Sequence, residues 1–208
     1  MAAARGKARH VGKRPLGERP LGKRFDRALL YATAAHATQF RKGTRRPYIA
    51  HLLGVTAIVL THGGDEDDAI AALLHDVVED QGGKPRLRDI RRKFGSRVAN
   101  IVEGCTDSDT EPKPSWRERK ENYLHHLRTA NASIRLVSAA DKLYNASEIL
   151  SDFRLHRHSV WARFKGGKKG TLWYYGEVVK ILRAKGPKEL VGELNRVVSD
   201  LKAASRCS

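Results

Sequence analysis

Apolar residues recur at helical spacing along most of this chain, and this periodicity constrains its fold more than any other feature. In the first such segment Leu29, Ala32, Ala35 and Phe40 follow the pattern, because residues three and four apart share one face of a helix. Segments typical of strands are scarce. We therefore predict an all-α fold, a compact multi-helix domain. The predicted helices span residues 25–40, 52–62, 66–80, 87–94, 97–105, 115–130, 133–150, 157–165, 170–185 and 188–204.

Glycine-rich and polar positions mark the ends of the predicted helices. Gly82–Gly83 is expected to end the third helix, and Ser96 to cap the fifth. The sequence GGKKG at 166–170 is expected to separate the eighth helix from the ninth. Glycine interrupts helices because its backbone is conformationally free, and serine caps them because its hydroxyl accepts from free backbone N–H groups.

The N-terminal segment differs in composition from the rest of the chain. Residues 1–24 contain eight Lys or Arg residues and one Glu, within a net charge of +17 for all 208 residues. Their Pro and Gly content favours a disordered basic tail at 1–22 over an amphipathic targeting helix, which leaves one domain at 23–206. The charge favours anionic partners, and we expect any nucleic-acid binding from the tail alone because no nucleic-acid-binding motif is evident.

Cysteine content and hydropathy indicate the cellular compartment in which the protein is expected. Cys105 and Cys207 cannot form a disulfide framework, and no run of 18 apolar residues predicts a membrane-spanning helix. We therefore expect a cytoplasmic protein without a membrane partner. A reactive thiol is the alternative role for a cysteine, but no nearby motif supports it. The sequence makes no prediction of the oligomeric state.

Residues 73–80, LLHDVVED, place ligand-capable side chains within two predicted helical turns. His75 and Asp76 are followed one turn later by Glu79 and Asp80, and residues at this spacing are neighbours on a helix surface. The apolar residues between them would bury this group. Singly, each residue is also typical of a structural role, as a core histidine, a helix cap or a solvated charge.

Two further segments supply candidate ligands. His51 lies at the start of a predicted helix, and Asp141 follows an apolar run. Together with His75 and Asp76 they would make a mixed nitrogen and oxygen site for Mn, Fe, Zn or another divalent ion. The alternative for Asp141 is a plain ion pair with Lys142, so this prediction depends on all four ligands occurring together.

Three segments together resemble the HD superfamily of metal-dependent phosphohydrolases, namely YIAH at 48–51, ALLHDVVED at 72–80 and AADKLYN at 139–145. More narrowly, the chain is similar to the hydrolase domain of RelA/SpoT-type alarmone enzymes, and within these to the small stand-alone hydrolases, which include metazoan forms. The resemblance covers roughly residues 24–185. The supporting segments are AHATQFRKGTRRPYIAH at 35–51, FGSRVANIVEGCTD at 94–107 and RERKENYL at 117–124.

The resemblance implies an HD-type hydrolase domain that removes the 3′-pyrophosphate of guanosine tetra- or pentaphosphate and releases pyrophosphate. It also implies one Mn²⁺ per chain, with His51, His75, Asp76 and Asp141 as ligands. Glu79 and Asp80 match the acidic pair that orients and activates the attacking water. The implied substrate contacts are Arg41 and Lys42 beside the base and phosphates, Lys120 in the phosphate pocket and Asn145 at the ribose.

The chain departs from the family pattern at several positions. Leu52 stands where a proline is usual, and Ser147–Glu148 replace an Arg followed by a small or acidic residue. The loss of that Arg leaves the substrate preference open. One alternative is therefore an HD phosphohydrolase for an adenosine-based alarmone, NADPH or another nucleotide. The net charge leaves a second, less favoured alternative, a non-catalytic basic nucleic-acid-binding protein. The aromatic run Trp173–Tyr175 is expected to pack in the core rather than over the nucleotide.

Overall fold

The computed structural model describes residues 20–107, 112 and 114–206. The regular structure of this part of the chain is helical apart from one isolated bridge between Phe40 and Pro47, which confirms the predicted all-α fold. None of the helices described is long and apolar enough to cross a membrane. Residues 1–19 of the predicted tail at 1–22 lie outside the described part of the chain. The helices are α1 (Lys23–Ala35), α2 (Ile49–Thr61), α3 (Glu66–Leu74), α4 (Val77–Gln81), α5 (Gly83–Phe94), α6 (Ser96–Cys105), α7 (Trp116–Thr129), α8 (Ala132–His156), a 3₁₀ helix (Arg157–Arg163), α9 (Gly167–Lys185) and α10 (Lys188–Ala204).

The longest helix, α8, forms the centre of the domain. It contacts α2, α3, α6, α9 and α10. Its apolar side chains are buried on several sides, and Val137, Ala140 and Phe153 are fully inaccessible to solvent. This burial stabilises the helix by about 25 cal/mol per Å² of apolar surface. A polar side chain in the middle of α8 therefore reaches the interior of the protein, and Asp141 lies there.

A short helix, α3, is enclosed on all sides. Asp65 and Asp68 form a reciprocal capping box that satisfies free backbone N–H groups at its start. The six residues 69–74 that follow are all apolar and fully buried against α1, α2, α6 and α8. A helix that is apolar all round belongs in the interior. The chain segment that follows α3 therefore emerges in the middle of the domain.

The predicted single helix over 66–80 was wrong at its centre, because a turn at His75–Asp76 separates α3 from α4. The ring nitrogen Nδ1 of His75 bonds the Ala72 carbonyl at 2.8 Å, and in a continuous helix that carbonyl would accept from residue 76. Helical bonding resumes at once, because the Asp80 N–H donates to the Asp76 carbonyl at 2.9 Å. The side chain of His75 thus competes with the backbone at the point where the ligand-capable residues lie.

Several predicted boundaries were also wrong. Gly83 begins α5 instead of only ending the preceding helix, with Gly82 between the two at φ 128°. Ser96 is the first residue of α6 and makes no side-chain capping bond. Most of the GGKKG segment lies inside α9, which begins at Gly167 with φ 57°. Helix α8 extends to His156, and the segment after it is a 3₁₀ helix rather than an α-helix.

Helices α2 and α8 approach closely at Gly54. A Cβ on Gly54 would lie 2.0 Å from Cε2 of Tyr144, whose ring centroid is 5.1 Å from that of His51. We therefore expect Gly54→Ala to force Tyr144 aside and to lower the free energy of unfolding by about 1–3 kcal/mol, measured by urea denaturation.

A matched glycine on α10 provides the control for this prediction. A Cβ on Gly192 would meet only the Nη1 atom of Arg196, at 3.8 Å. Because alanine is the better helix former, Gly192→Ala should raise the free energy of unfolding by about 0.5–1 kcal/mol. Equal stability changes in the two variants would show that the contact between Gly54 and Tyr144 does not limit the spacing of α2 and α8.

Candidate metal centre and adjoining cavity

Three ligand-capable side chains from distant parts of the chain converge in the core. His51 comes from the first turn of α2, His75 follows α3, and Asp141 lies in the middle of α8. One ligand atom from each lies within 4.8 Å of the other two, and all three residues are buried. The packing of α2 and α3 against α8 therefore assembles the cluster from residues that are up to 90 positions apart.

Asp76 adds a second carboxylate to this cluster. Its Oδ2 lies 3.1 Å from Nε2 of His75 and 3.3 Å from Nε2 of His51. The hydroxyl of Tyr48 donates to the same oxygen at 2.6 Å, which fixes the orientation of the carboxylate. Burial and the Asp76 charge raise the pKa of Tyr48 above its ordinary value, so this hydroxyl remains a donor.

The hydrogen bonds of His75 leave one ring nitrogen for a ligand. Nδ1 is engaged with the Ala72 carbonyl, so Nε2 is the nitrogen that faces the cluster. Nε2 is buried and makes no hydrogen bond of acceptable geometry within the described residues, although carboxylate oxygens of Asp76 and Asp141 lie 3.1 and 3.6 Å away. Nitrogen and oxygen atoms that lie this close together without hydrogen bonding to each other are suited to ligate a shared cation. Two imidazoles and two carboxylates are ligands that suit Mn, Fe or Zn.

The charged side chains of the cluster strongly shift one another's pKa values. Burial alone would lower the pKa of His75, but the Asp76 and Asp141 carboxylates outweigh it and hold that pKa well above its ordinary value. Burial alone would raise the pKa of Asp76, but His75 and His51 hold it well below its ordinary value. The pKa of Asp141 is likewise held low against burial, chiefly by the Lys142 ammonium. Without a metal, a proton on His75 thus provides the positive charge that the two carboxylates require.

Both oxygens of Asp141 are oriented by neighbours on the same helix. The amide of Asn145 donates to Oδ1 at 2.5 Å, and the ammonium of Lys142 donates to Oδ2. Arg41 in turn donates to the amide oxygen of Asn145 at 2.6 Å. The guanidinium of Arg41 lies 5.6 Å from the ring centroid of Tyr48, the residue that bonds Asp76. A continuous chain of contacts therefore connects the loop at 41–46 with the carboxylates of the cluster.

The predicted acidic pair separates into two environments. Asp80 accepts at Oδ2 from the side-chain amide of Gln39 at 2.8 Å and lines the cavity next to the cluster. Glu79 accepts from the backbone N–H of Asp107 at 3.3 Å and lies 3.8 Å from an Arg119 nitrogen. Asp80 is therefore the member of the pair that lines the cavity, whereas Glu79 binds the backbone of Asp107, which lies just after α6.

A cavity of about 480 Å³ adjoins the cluster, because Lys142 and Asn145 line the cavity and also bond Asp141. All four predicted substrate contacts lie on its wall, namely Arg41, Lys42, Lys120 and Asn145. Eight Lys or Arg side chains and three Asp or Glu side chains line it, so its wall is strongly cationic. The cations are Arg41, Lys42, Arg46, Arg119, Lys120, Lys142, Arg163 and Lys165.

A family profile described as HD domain matches residues 28–172, which include every member of the cluster. The chain belongs to the HD domain family. This family implies a divalent metal, and the donor set of His51, His75, Asp76 and Asp141 fits one.

Two curated relatives and one solved structure place the chain within the family. The guanosine-3′,5′-bis(diphosphate) 3′-pyrophosphohydrolase MESH1 of Xenopus tropicalis is 36% identical over 180 residues, which cover 82% of this chain and 90% of that protein. MESH1 of Homo sapiens is 34% identical, over 73% of this chain and 88% of that protein. A structure described as a metazoan ortholog of SpoT that hydrolyzes ppGpp matches with a TM-score of 0.73 and 27% identity, over 88% of this chain and 98% of that one.

Sequence reasoning missed several residues of this HD domain site. The sequence indicated Lys142 only as an ion-pair partner, yet it lies largely buried between Asp141 and the cavity, where Asp141 outweighs burial and holds the pKa of Lys142 well above its ordinary value. Tyr174 and Tyr175 are buried, as core residues are, but they also line the cavity. The hydroxyl of Tyr174 has no hydrogen-bond partner in the described part of the chain. Adjacency to Asp141 was the one sequence signal that could have singled out Lys142.

Lys120 is already paired with a carboxylate, as are Arg46, Lys142 and other cations of the cavity wall. Its ammonium donates to Asp107 at 3.0 Å and lies 4.9 Å from the ring centroid of Tyr174. Burial lowers the pKa of Lys120 below its ordinary value, although Asp107 opposes this shift. Arg119 donates to the same carboxylate. Asp107 therefore holds two cations beside the cluster.

Proposed function

We propose that this HD domain protein is a Mn²⁺-dependent enzyme that hydrolyses the 3′-pyrophosphate of guanosine tetra- or pentaphosphate and releases pyrophosphate. One observation carries the proposal: the buried His51, His75 and Asp141, with the partly exposed Asp76 beside them, adjoin a cation-lined cavity that Asp80 also lines. The relatives named for this activity match over most of their own length, which supports the same reaction for this chain.

The metal ligands in this proposal are His51, His75, Asp76 and Asp141. When bound, the ion supplies Lewis acidity, which polarises a phosphoryl oxygen and lowers the pKa of water. Tyr48, Asn145 and Lys142 orient the two carboxylates through the hydrogen bonds described above. Such outer hydrogen bonds fix ligand geometry and affect metal affinity by about 10- to 100-fold.

Asp80 takes the proton of the attacking water in this mechanism. Gln39 donates to its Oδ2 and so orients the carboxylate that acts as the general base. Glu79 acts indirectly in this mechanism. It accepts from the backbone N–H of Asp107, and the Asp107 carboxylate in turn binds Arg119 and Lys120. These two cations, with Lys142, lie where negative charge develops on the phosphates.

The nucleoside lies farther along the cavity in the same proposal. Arg41 offers a planar guanidinium that stacks on a purine face, and its bond to Asn145 places the ribose contact directly behind it. Lys42 lies on the same loop and faces the phosphates. We propose a cytoplasmic location for the enzyme, as its cysteine content suggests.

A substrate panel tests this proposal. The full chain would be incubated with Mn²⁺ and with 3′-pyrophosphorylated guanosine, 3′-pyrophosphorylated adenosine and NADPH, and the release of pyrophosphate and phosphate would be measured. We expect pyrophosphate from the guanosine nucleotide, and no turnover after removal of Mn²⁺ with a chelator. Turnover of NADPH alone would support an HD phosphohydrolase with another substrate. No turnover of any compound would contradict an enzymatic function.

The proton held by His75 makes Mn²⁺ binding dependent on pH. Its pKa is raised above the ordinary value in the metal-free protein by the Asp76 and Asp141 carboxylates, so Mn²⁺ must displace a proton from the ring. Raising the pH removes this competitor, and the apparent Kd for Mn²⁺ should fall by up to about tenfold per pH unit while the ring still holds its proton. Isothermal titration calorimetry in buffers of different ionisation enthalpy measures both the Kd and the released proton. A Kd that is independent of pH would contradict this coupling.

A further inference from the structure

Two of the three acidic residues that line the cavity, Glu148 and Asp152, lie away from the cluster. Asp80 is next to the cluster, as described above, whereas Glu148 and Asp152 lie beyond Asn145 on α8. A carboxylate repels phosphate groups, so its presence in a cationic cavity requires a separate reason. The part of the cavity that holds Glu148 and Asp152 is suited to a neutral group that donates hydrogen bonds.

A polar stripe along α8 orders these residues by distance from the cluster. Asp141, Asn145, Glu148 and Asp152 follow each other at spacings of four, three and four residues, which keeps them on one face of the helix. Glu148 lies roughly 10 Å beyond Asp141 along the helix axis, because each residue rises about 1.5 Å. This separation is comparable with the length of a nucleoside. With the phosphates at the cluster and the ribose at Asn145, the base reaches Glu148.

The two distal carboxylates are not equivalent. Asp152 is buried and uses both oxygens on arginines, accepting from Arg46 at 3.0 Å and from Arg163 at 2.6 Å. Glu148 is bonded through Oε2 to Arg46 and keeps 29% of its side chain exposed. Asp152 therefore holds the cavity wall together, whereas Glu148 remains accessible from the cavity.

We propose that Glu148 binds the Watson–Crick edge of the base and makes the enzyme prefer guanosine over adenosine. This inference rests on the proposed function and names the base that the function requires. Guanine presents the N1–H and the 2-amino group side by side, and a carboxylate accepts from both. Adenine presents the lone pair of N1 at the same place, which a carboxylate repels. Arg46 donates to Oε2 of Glu148 from the cavity wall.

Glu148→Gln tests this proposal because it keeps the size of the side chain and removes the charge. The amide would place an N–H against a donor of guanine, and the same N–H could donate to N1 of adenine. We expect wild type to prefer 3′-pyrophosphorylated guanosine over its adenosine counterpart, and the ratio of the two kcat/KM values to fall at least about tenfold in the variant. The affinity for Mn²⁺ and the melting temperature should remain at the wild-type values.

Arg46→Met distinguishes a direct role of Glu148 from an indirect one. This variant removes the ion-pair partner and leaves the carboxylate, so the preference for guanosine should persist. An equal loss of preference in both variants would overturn the proposal, as would a wild-type preference for adenosine. If Glu148→Gln hydrolyses the guanosine nucleotide with an unchanged ratio of the two kcat/KM values, only this inference is overturned. If wild type hydrolyses neither nucleotide, the proposed function is overturned as well.

Discussion

Asp76→Ala is expected to abolish hydrolysis, with a loss of about 10³-fold or more in kcat/KM. Oδ2 of Asp76 lies within 3.3 Å of both imidazole nitrogens, so its removal takes one ligand out of the centre of the cluster. Tyr48 loses its acceptor at the same time. The affinity for Mn²⁺ should fall by more than about 100-fold, because even residues that only orient a ligand affect affinity by 10- to 100-fold. Calorimetric Mn²⁺ titration and pyrophosphate release measure the two effects.

The control for this variant is Asp200→Ala. Asp200 is an exposed aspartate on α10, so its replacement removes the same charge far from the cluster. Its activity and its Mn²⁺ affinity should equal those of wild type. Retention of Mn²⁺ affinity by Asp76→Ala would show that three ligands are sufficient to hold the ion, and retention of activity would overturn the metal-dependent mechanism.

Asp80→Asn is expected to lower kcat by about 10²- to 10⁴-fold while the ion still binds. The amide has the same shape as the carboxylate but cannot take a proton at neutral pH. Gln39 is held in one orientation because its Oε1 accepts from Gln81 at 2.5 Å and lies 2.7 Å from Nδ1 of His36. Its amide nitrogen therefore continues to face residue 80. The KM and the Mn²⁺ affinity should stay within about twofold of wild type, since the loss concerns the transition state only.

Two further variants assign the proton transfer to one carboxylate. Asp26→Asn, at an exposed position of α1, should leave kcat unchanged. Glu79→Gln should raise KM more than it lowers kcat, because Glu79 holds the loop at Asp107 rather than lining the cavity. A large loss of kcat in Glu79→Gln together with normal turnover by Asp80→Asn would reverse the roles of the two residues.

The sequence predicted the fold class, and it named residues that the structure brings to one cavity, but it did not predict their contacts. Helical periodicity was enough to predict an all-α domain, because apolar residues three and four apart lie on one face of a helix. The four predicted substrate contacts do lie on one cavity. The fold prediction depends on local spacing, and the choice of these four residues depends on a resemblance that covers most of the chain. The chemical roles of the four residues remain predictions.

The missed features depend on partners that are distant in sequence. The bond of Gln39 to Asp80 spans 41 residues, and that of Asp107 to Glu79 spans 28, so no local pattern could separate the two acids. The turn at His75–Asp76 arises from a side chain that takes a backbone carbonyl, which helical periodicity does not report. The importance of Lys142 likewise becomes visible only when its burial is known.

The close approach of α2 and α8 at Gly54 has a consequence for how such a site evolves. His51 lies on one of these helices and Asp141 on the other, so the gap between the two backbones sets the distance between two candidate ligands. The absence of a side chain at position 54, one turn from His51, thus controls how closely these candidate ligands approach. A substitution at position 54 would change their spacing while every candidate ligand stays the same.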